Sequence, residues 1–329
     1  MLIKSKAFAI RGMLCMLCLA TSLVHADLMI NPTRLVLDER TKSGQLELLN
    51  NSTEEVTYRI SLVNRRMNEE GKFSAIDKQS DDFKPEPGEH FADDMLKFSP
   101  LQVTLEPGKS QIVRIVWRKP ESLDDGEYRS HILFSQVASS NSSSSIETTQ
   151  KGSDGKDITI KLTPLIGATI PIIVRQGALG VETKLTNLVF TPPKNEQGPL
   201  LKLVIERAKE TPKQGEPQKA ERSAYGDLIV SFIPCHSEDK TILSACVEKF
   251  KNNPDAPERI ELGRMNGLAV YTPNALRRVT IALKPPSTLN LSQGTLIAQF
   301  TAPVEEDAKF TESVKKGAKI LSSEILALP

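Results

Sequence analysis

This 329-residue chain carries almost none of the residue patterns that mark an active site. It has no glycine-rich phosphate loop, no His-Glu-x-x-His, no Gly-x-Ser-x-Gly and no calcium-loop pattern. Nucleotide, zinc-hydrolase and serine-hydrolase chemistries are therefore left without a motif. Histidine is scarce, with four in the whole chain, and His90, His131 and His236 fall in no ligand or triad spacing. Aromatic residues make up only 5%, and the single tryptophan, Trp117, reads as packing rather than function. Adjacent carboxylates at Asp81-Asp82, Asp93-Asp94 and Asp124-Asp125 lie in polar stretches, where solvated turns account for them. The expectation is a protein that is not an enzyme and uses no metal or cofactor.

Long apolar runs are equally rare. The main one, residues 13–24, follows Lys4, Lys6 and Arg11 and ends in Val24-His25-Ala26. That is the three-part layout of a secretory signal peptide, too short in its apolar part to span a membrane, with cleavage expected after Ala26. No later run approaches transmembrane length, so no integral membrane segment is expected. Of 42 basic residues three lie in this leader, which leaves 39 against 41 acidic ones. Such a balance offers no footprint for nucleic acid or an anionic membrane.

Cysteine is sparse as well. Cys15 and Cys18 belong to the leader, which leaves Cys235 and Cys246. An even pair in an exported chain reads as one disulfide. With only His236 beside them, two sulfurs are too few for a closed zinc site.

What the chain does have is short alternating segments. Residues 45–49 and 56–63 read as strands joined by Asn50-Asn51-Ser52-Thr53, which is turn chemistry. The polar stretch 67–94, with Pro85 and Pro87, reads as a surface loop. Strands resume at 95–98 and 101–105, then at 111–117 after Glu106-Pro107-Gly108-Lys109, and at 129–137 after Asp124-Asp125-Gly126-Glu127-Tyr128. Strands at about ten-residue spacing predict an all-β chain of two immunoglobulin-like β-sandwich domains, 27–176 and 177–329. Arg175-Gln176-Gly177 would be the hinge. Tyr128 stands where a tyrosine corner would, or is a half-buried strand aromatic. Further strands are expected at 181–190, 200–207, 226–233, 259–262, 268–271, 276–283 and 294–301, with 208–222 an exposed loop. Residues 305–328 suit either a helix or a final strand.

One segment exceeds the rest. From Ile158 to Val174 every second residue is apolar or proline, which reads as a single strand over 158–175 with one apolar face. At about 3.3 Å per residue it would reach on the order of 55 Å, well beyond a usual strand. Pro164 and Pro171 lack the amide that a central strand donates, which argues for an edge. A long apolar edge invites a partner. The Ser-rich residues 138–156 before it read as a flexible segment, either leaving the strand loosely held or forming an ordinary hairpin loop. Arg34, between Thr33 and Leu35-Val36-Leu37, is a solvated strand arginine or a cleft cation able to grip a carboxylate.

Four pieces in order then carry a resemblance: Asn31-Pro32-Thr33-Arg34, Phe98-Ser99-Pro100, the run from Pro107 to Ile115 with Gln111 and Arg114, and Ile170-Pro171-Ile172-Ile173-Val174-Arg175. Residues 28–176 resemble the periplasmic pilus-assembly chaperones of the chaperone–usher pathway; over 177–329 the likeness is architectural. The resemblance implies a periplasmic chaperone that completes pilus subunits by donor-strand complementation, a known form of β-augmentation, and delivers them to an outer-membrane usher. It assigns Ile158, Ile160, Leu162 and Ile166 to the subunit's pockets, worth roughly 1.5–3 kcal/mol each before ordering costs. Arg34 matches the family's first-strand carboxylate anchor, alone or helped by Arg175. The chain departs from the family where Pro171 replaces the frequent lysine four residues before Arg175, and where Asp-Gly-Glu-Tyr-Arg replaces the commoner Asp-Arg-Glu turn. The alternative reading is a secreted structural or surface-assembly sandwich of pilin or adhesin type. Against it, Pro32 and Arg34 interrupt any N-terminal donor extension.

Overall fold

A computed structural model describes residues 28–137, 146–151, 157–162, 167–194, 198–251, 253, 256–303 and 319–328, without side chains over 146–151 and 157–162. The expected leader, Ile166 and residues 304–318 lie outside the described residues. The first sandwich comprises β1 (Leu28–Asn31), β2 (Leu35–Leu37), β3 (Ser43–Asn50), β4 (Val56–Met67), β5 (Phe73–Ile76), β6 (Leu96–Ser99), β7 (Gln102–Leu105), β8 (Ser110–Trp117) and β9 (Gly126–Gln136). After β10 (Ile146–Lys151) and β11 (Asp157–Leu162), β12 (Gly167–Gln176) completes it. One sheet runs β1-β3-β8-β6; the other runs β2-β12-β9-β4-β5, with β7 also on β4. Leu46, Leu48, Val113 and Ile115 from the first sheet meet Ile60, Ile132, Phe134, Ile172 and Val174 from the second.

The turns follow from their residues. Gly108 takes φ 69°, left-handed backbone that favours glycine, and its N–H donates to the Asn50 carbonyl at 2.8 Å. Buried Asn50 donates its side-chain amide to the carbonyls of Leu105 at 2.9 Å and Glu54 at 2.8 Å, tying two turns together. The Tyr128 hydroxyl donates to the Asp124 carbonyl at 3.0 Å, so the tyrosine corner is formed.

The second sandwich contains β13 (Leu179–Gly180), β14 (Glu182–Thr191), β15 (Leu200–Ala208), β16 (Ala220–Glu221), β17 (Ala224–Ile233), α1 (Lys240–Lys251), β18 (Ile260–Val270), β19 (Leu276–Ala282), β20 (Thr295–Thr301) and β21 (Ile320–Ala327). Its sheets run β14-β15-β19 and β18-β17-β20-β21 around a core that includes Leu185, Ile205, Leu228, Val230, Ile281 and Phe300. The open choice for the C-terminus resolves in part: residues 320–327 are a strand on β20.

Four expectations are corrected. The single strand over 158–175 is two: β12 joins the sandwich, whereas β11 pairs with β10 in a two-stranded sheet of its own. No domain of this size offers 55 Å of neighbouring edge, and Pro164, with no amide for a ladder, falls in the interval. Residues 146–151, within the Ser-rich segment expected to be flexible or a hairpin loop, supply the pairing strand. The stretch 67–94 is not all loop, because β5 pairs with the end of β4 and Arg66 makes a bidentate contact to buried Glu89, 2.9 and 2.6 Å. Residues 259–262 and 268–271 are one strand, β18.

Helix α1 was not expected. Asp239 Oδ1 accepts the Thr241 amide at 2.7 Å as an N-cap, and Leu243, Cys246, Val247 and Phe250 at helical spacing pack on Ile233, Cys235 and Ile297. The Cys235–Cys246 disulfide, Cα atoms 5.8 Å apart, fixes this helix to the end of β17.

Candidate functional site

Strand β2 determines where the site lies. It pairs in parallel with β12 only over Leu35–Leu37 against Ile172–Val174. Residues 32–34 cross to the other sheet, where β1 pairs with β3. Among the described residues, the edge of β12 from Gly167 to Pro171 therefore carries no strand on that side. Pro171 sits there, as an edge proline should, opposite His131 of β9.

At the point where this edge meets β2, a cleft of about 1400 Å³ opens between the sandwiches, lined by Thr33, Arg34, Arg175, Arg222 and Tyr225 among others. Arg175 Nε donates to Glu127 Oε2 at 3.0 Å, and the Ser223 amide of the second sandwich donates to Glu127 Oε1 at 3.0 Å. Glu127 is only 2% exposed. Burial alone would push its carboxyl up, but Arg175 and the bonds from Ser223 outweigh this and hold it below the ordinary range. Arg175 is thereby spoken for.

Arg34 is not. Its guanidinium lies 4.1 Å above the Tyr225 ring, a cation–π contact across the domain boundary, and its Nε and Nη2 are buried with no hydrogen-bond partner. Burial lowers its pKa and Arg175 adds repulsion, partly offset by Tyr271 and Glu127. Arg222, between β16 and β17, is half-buried, and burial followed by the charge of Arg175 lowers it too. Three guanidinium groups thus line the cleft, and of the three only Arg175 contacts buried Glu127. On the adjoining face Arg129 stacks 4.1 Å over Tyr271, with Nε and Nη1 unpartnered. An arginine fork with unpaired donors in a desolvated cleft is built to take a carboxylate or a comparable anion.

The sandwiches are also clasped together. Ile173 and Met67 of the first pack against Ala269 and Tyr271 of the second. Asn274 donates to the Met67 carbonyl at 2.7 Å, and Arg278 meets Glu69 at 3.0 Å.

Known structures similar to this chain include the Pseudomonas aeruginosa CupB2 chaperone, at 10% identity and TM-score 0.37, spanning 92% of this chain and 100% of that one. A Salmonella enterica complex of SafA pilin with the SafB chaperone gives 14% and 0.36, covering 92% and 96%. The CsuC–CsuE chaperone and tip-subunit pre-assembly complex of Acinetobacter baumannii, from archaic chaperone–usher Csu pili, gives 10% and 0.36, covering 84% and 93%. Each contains a chaperone. Identities this low and TM-scores below 0.5 leave the functional reading to rest on the cleft and the strand edge. No protein-family model matches the chain, and no curated protein matches it in sequence.

Of the residues singled out in the sequence, Arg34 and Arg175 line one cleft. Ile158, Ile160 and Leu162 lie at alternate positions of β11, opposite Gln150, Thr148 and Ile146 of β10. Ile166 lies outside the described residues. Sequence reasoning missed Glu127, Arg222 and Tyr225 as cleft residues. Glu127 was read only as part of a turn, and Arg222 closes a stretch whose Lys, Glu and Pro content indicated nothing but exposure.

Proposed function

We propose that the protein is a periplasmic chaperone that binds pilus subunits by lending them a strand and hands them to an outer-membrane usher, with no cofactor. The observation that carries this is the open edge of β12 ending at unpaired Arg34. A partner strand added in line with β2 and parallel to β12 would finish at Arg34 with its C-terminus. The same strand running the other way would bring an N-terminal ammonium to Arg34, Arg175 and Arg222. Charge therefore favours a parallel strand ending in a free carboxylate. Ile158, Ile160, Leu162 and Ile166 would enter the partner's pockets, and main-chain bonds would set the register. In this reading the β10–β11 pairing is the resting arrangement, which the subunit replaces.

The test is co-purification from the periplasm with the pilin-like products of neighbouring genes, comparing wild type with Ile160→Asp/Leu162→Asp. A soluble one-to-one complex lost in the folded double variant supports the reading. Equal capture by the variant, or no captured subunit, overturns it in favour of a surface-structural role.

A further inference from the structure

Acidic residues also line the cleft, yet its three on the rim are already engaged by backbone amides. Asp38 accepts from Arg40 at 2.8 Å and Thr41 at 2.7 Å, Asp227 from Gly267 at 2.9 Å, and Glu182 from Thr211 at 2.8 Å. The Glu127 carboxylate is occupied by Arg175 and Ser223. Two of the cleft's guanidinium groups are left without a carboxylate partner among the described residues. One is Arg34, stacked on Tyr225. The other is Arg222, whose guanidinium makes one long hydrogen bond, 3.5 Å, from Nη1 to the Ser223 carbonyl. Arg34 and Arg222 line the same cleft, and the charge of Arg34 adds to burial and Arg175 in lowering the Arg222 pKa. Glu127 and Glu210 act on Arg222 only through space, so like charges are held together in a desolvated cleft without a direct carboxylate contact, which is unfavourable and which a bound anion relieves.

We propose that Arg222 supplies the second guanidinium for a ligand's terminal carboxylate, so that the anchor is split between the two sandwiches. This rests on the chaperone reading above and adds to it a second residue that recognises the carboxylate. Arg34 Nε and Nη2 donate to one side of the carboxylate, and the Arg222 fork donates to the other. Arg175 stays with Glu127 and acts on the ligand only through space. The split has a consequence for geometry. Arg222 and Tyr225 belong to the second sandwich and Arg34 to the first, so a bound carboxylate bridges the domains and a chain-internal carbonyl or amide does not.

The experiment uses the protein lacking residues 1–26, labelled with nitrogen-15 at arginine, and two probes: acetyl-Thr-Val-Thr-Val with a free C-terminus and the same peptide ending in an amide. The free acid is expected to move the Nε–Hε resonances of Arg34 and Arg222 along one saturation curve, and the amide to move neither. Arg222→Gln should weaken the acid about tenfold, the worth of one charge-assisted hydrogen bond, and leave the amide unchanged. Arg222→Lys should recover only part of the loss, because it keeps the charge without the fork. If Arg34 responds while Arg222 stays still, or Arg222→Gln binds the acid as wild type does, the split anchor is overturned and the chaperone reading stands. If neither arginine distinguishes acid from amide, the carboxylate anchor itself falls, and the role of Arg222 with it. The wild-type titration needs no variant, so a folding defect cannot obscure the answer.

Discussion

Glu127 and Arg175 face each other across β9 and β12, Oε2 to Nε at 3.0 Å, and the second Glu127 oxygen takes a backbone amide from the other sandwich. One buried carboxylate thus holds a cleft arginine and joins two domains. Removing its charge leaves Arg175 desolvated and unpaired beside two other guanidinium groups. Glu127→Gln should cost about 3–5 kcal/mol, the usual penalty for breaking a buried pair from one side. The pH dependence has a definite sign. The folded carboxyl titrates lower than the unfolded one, so its contribution is present above the unfolded pKa and is lost as pH falls through the folded value. Urea unfolding below about pH 4 should show wild type losing stability faster than Glu127→Gln.

His131 gives a second pH effect in a separate window. Burial first, then Arg129 and Arg65, lowers its pKa to about 3, and its ring meets Phe73 edge-on at 5.2 Å. Unfolded chains protonate near pH 6.5 while the folded ring stays neutral, so stability is fully present above that value and falls with pH down to about 3. Between pH 7 and pH 5 the loss should be about 2 kcal/mol. His131→Leu should remove that slope, and the imidazole of wild type should show no titration between pH 5 and 8 by NMR.

The Cys235–Cys246 bridge closes a short loop, with a sequence separation of 11. Cys235→Ala/Cys246→Ala should lower stability by about 3 kcal/mol on loop-entropy grounds. The effect should stay local. Hydrogen exchange should speed up in α1 and the end of β17, where Val247 and Phe250 lose their tether to Ile233, and leave β3 and β8 unchanged.

The clasp between the sandwiches makes them unfold together. Asn274→Ala/Glu69→Ala removes the bonds to Met67 and Arg278. Calorimetry should then show one transition broadening or dividing into two, with mid-points shifted by a few degrees. A single unshifted transition would mean that the packing of Ile173, Met67, Ala269 and Tyr271, with the remaining cross-domain bonds such as Ser223 to Glu127, is enough to couple the domains.

Much of this fold was legible because its signals are local. Tyr128 lies just after its turn and reaches back four residues; Pro107-Gly108 reads as a turn because glycine takes φ 69° there. Helix α1 has local signals too, in Asp239 and the spacing of Leu243, Val247 and Phe250. The alternation through 158–175 misled for a physical reason: period two describes a strand's faces and says nothing about where pairing stops.

An all-β chain of two sandwiches, the cysteine pair, and an apolar alternating stretch closed by Arg175 can all be read along the chain. Those properties follow from side-chain period, turn chemistry and residue counts, which neighbouring residues express without help from distant ones. Ile173, on the face of β12 away from its own core, is buried by the second sandwich, which no local pattern announces. The tertiary structure alone spent Arg175 on Glu127, laid Arg34 on Tyr225 and brought up Arg222 from nearly 190 positions away in sequence. A charge is defined by what surrounds it. Along a chain every arginine looks the same; in a cleft, the one whose buried N–H groups find no partner is set apart from the one whose carboxylate is already in place.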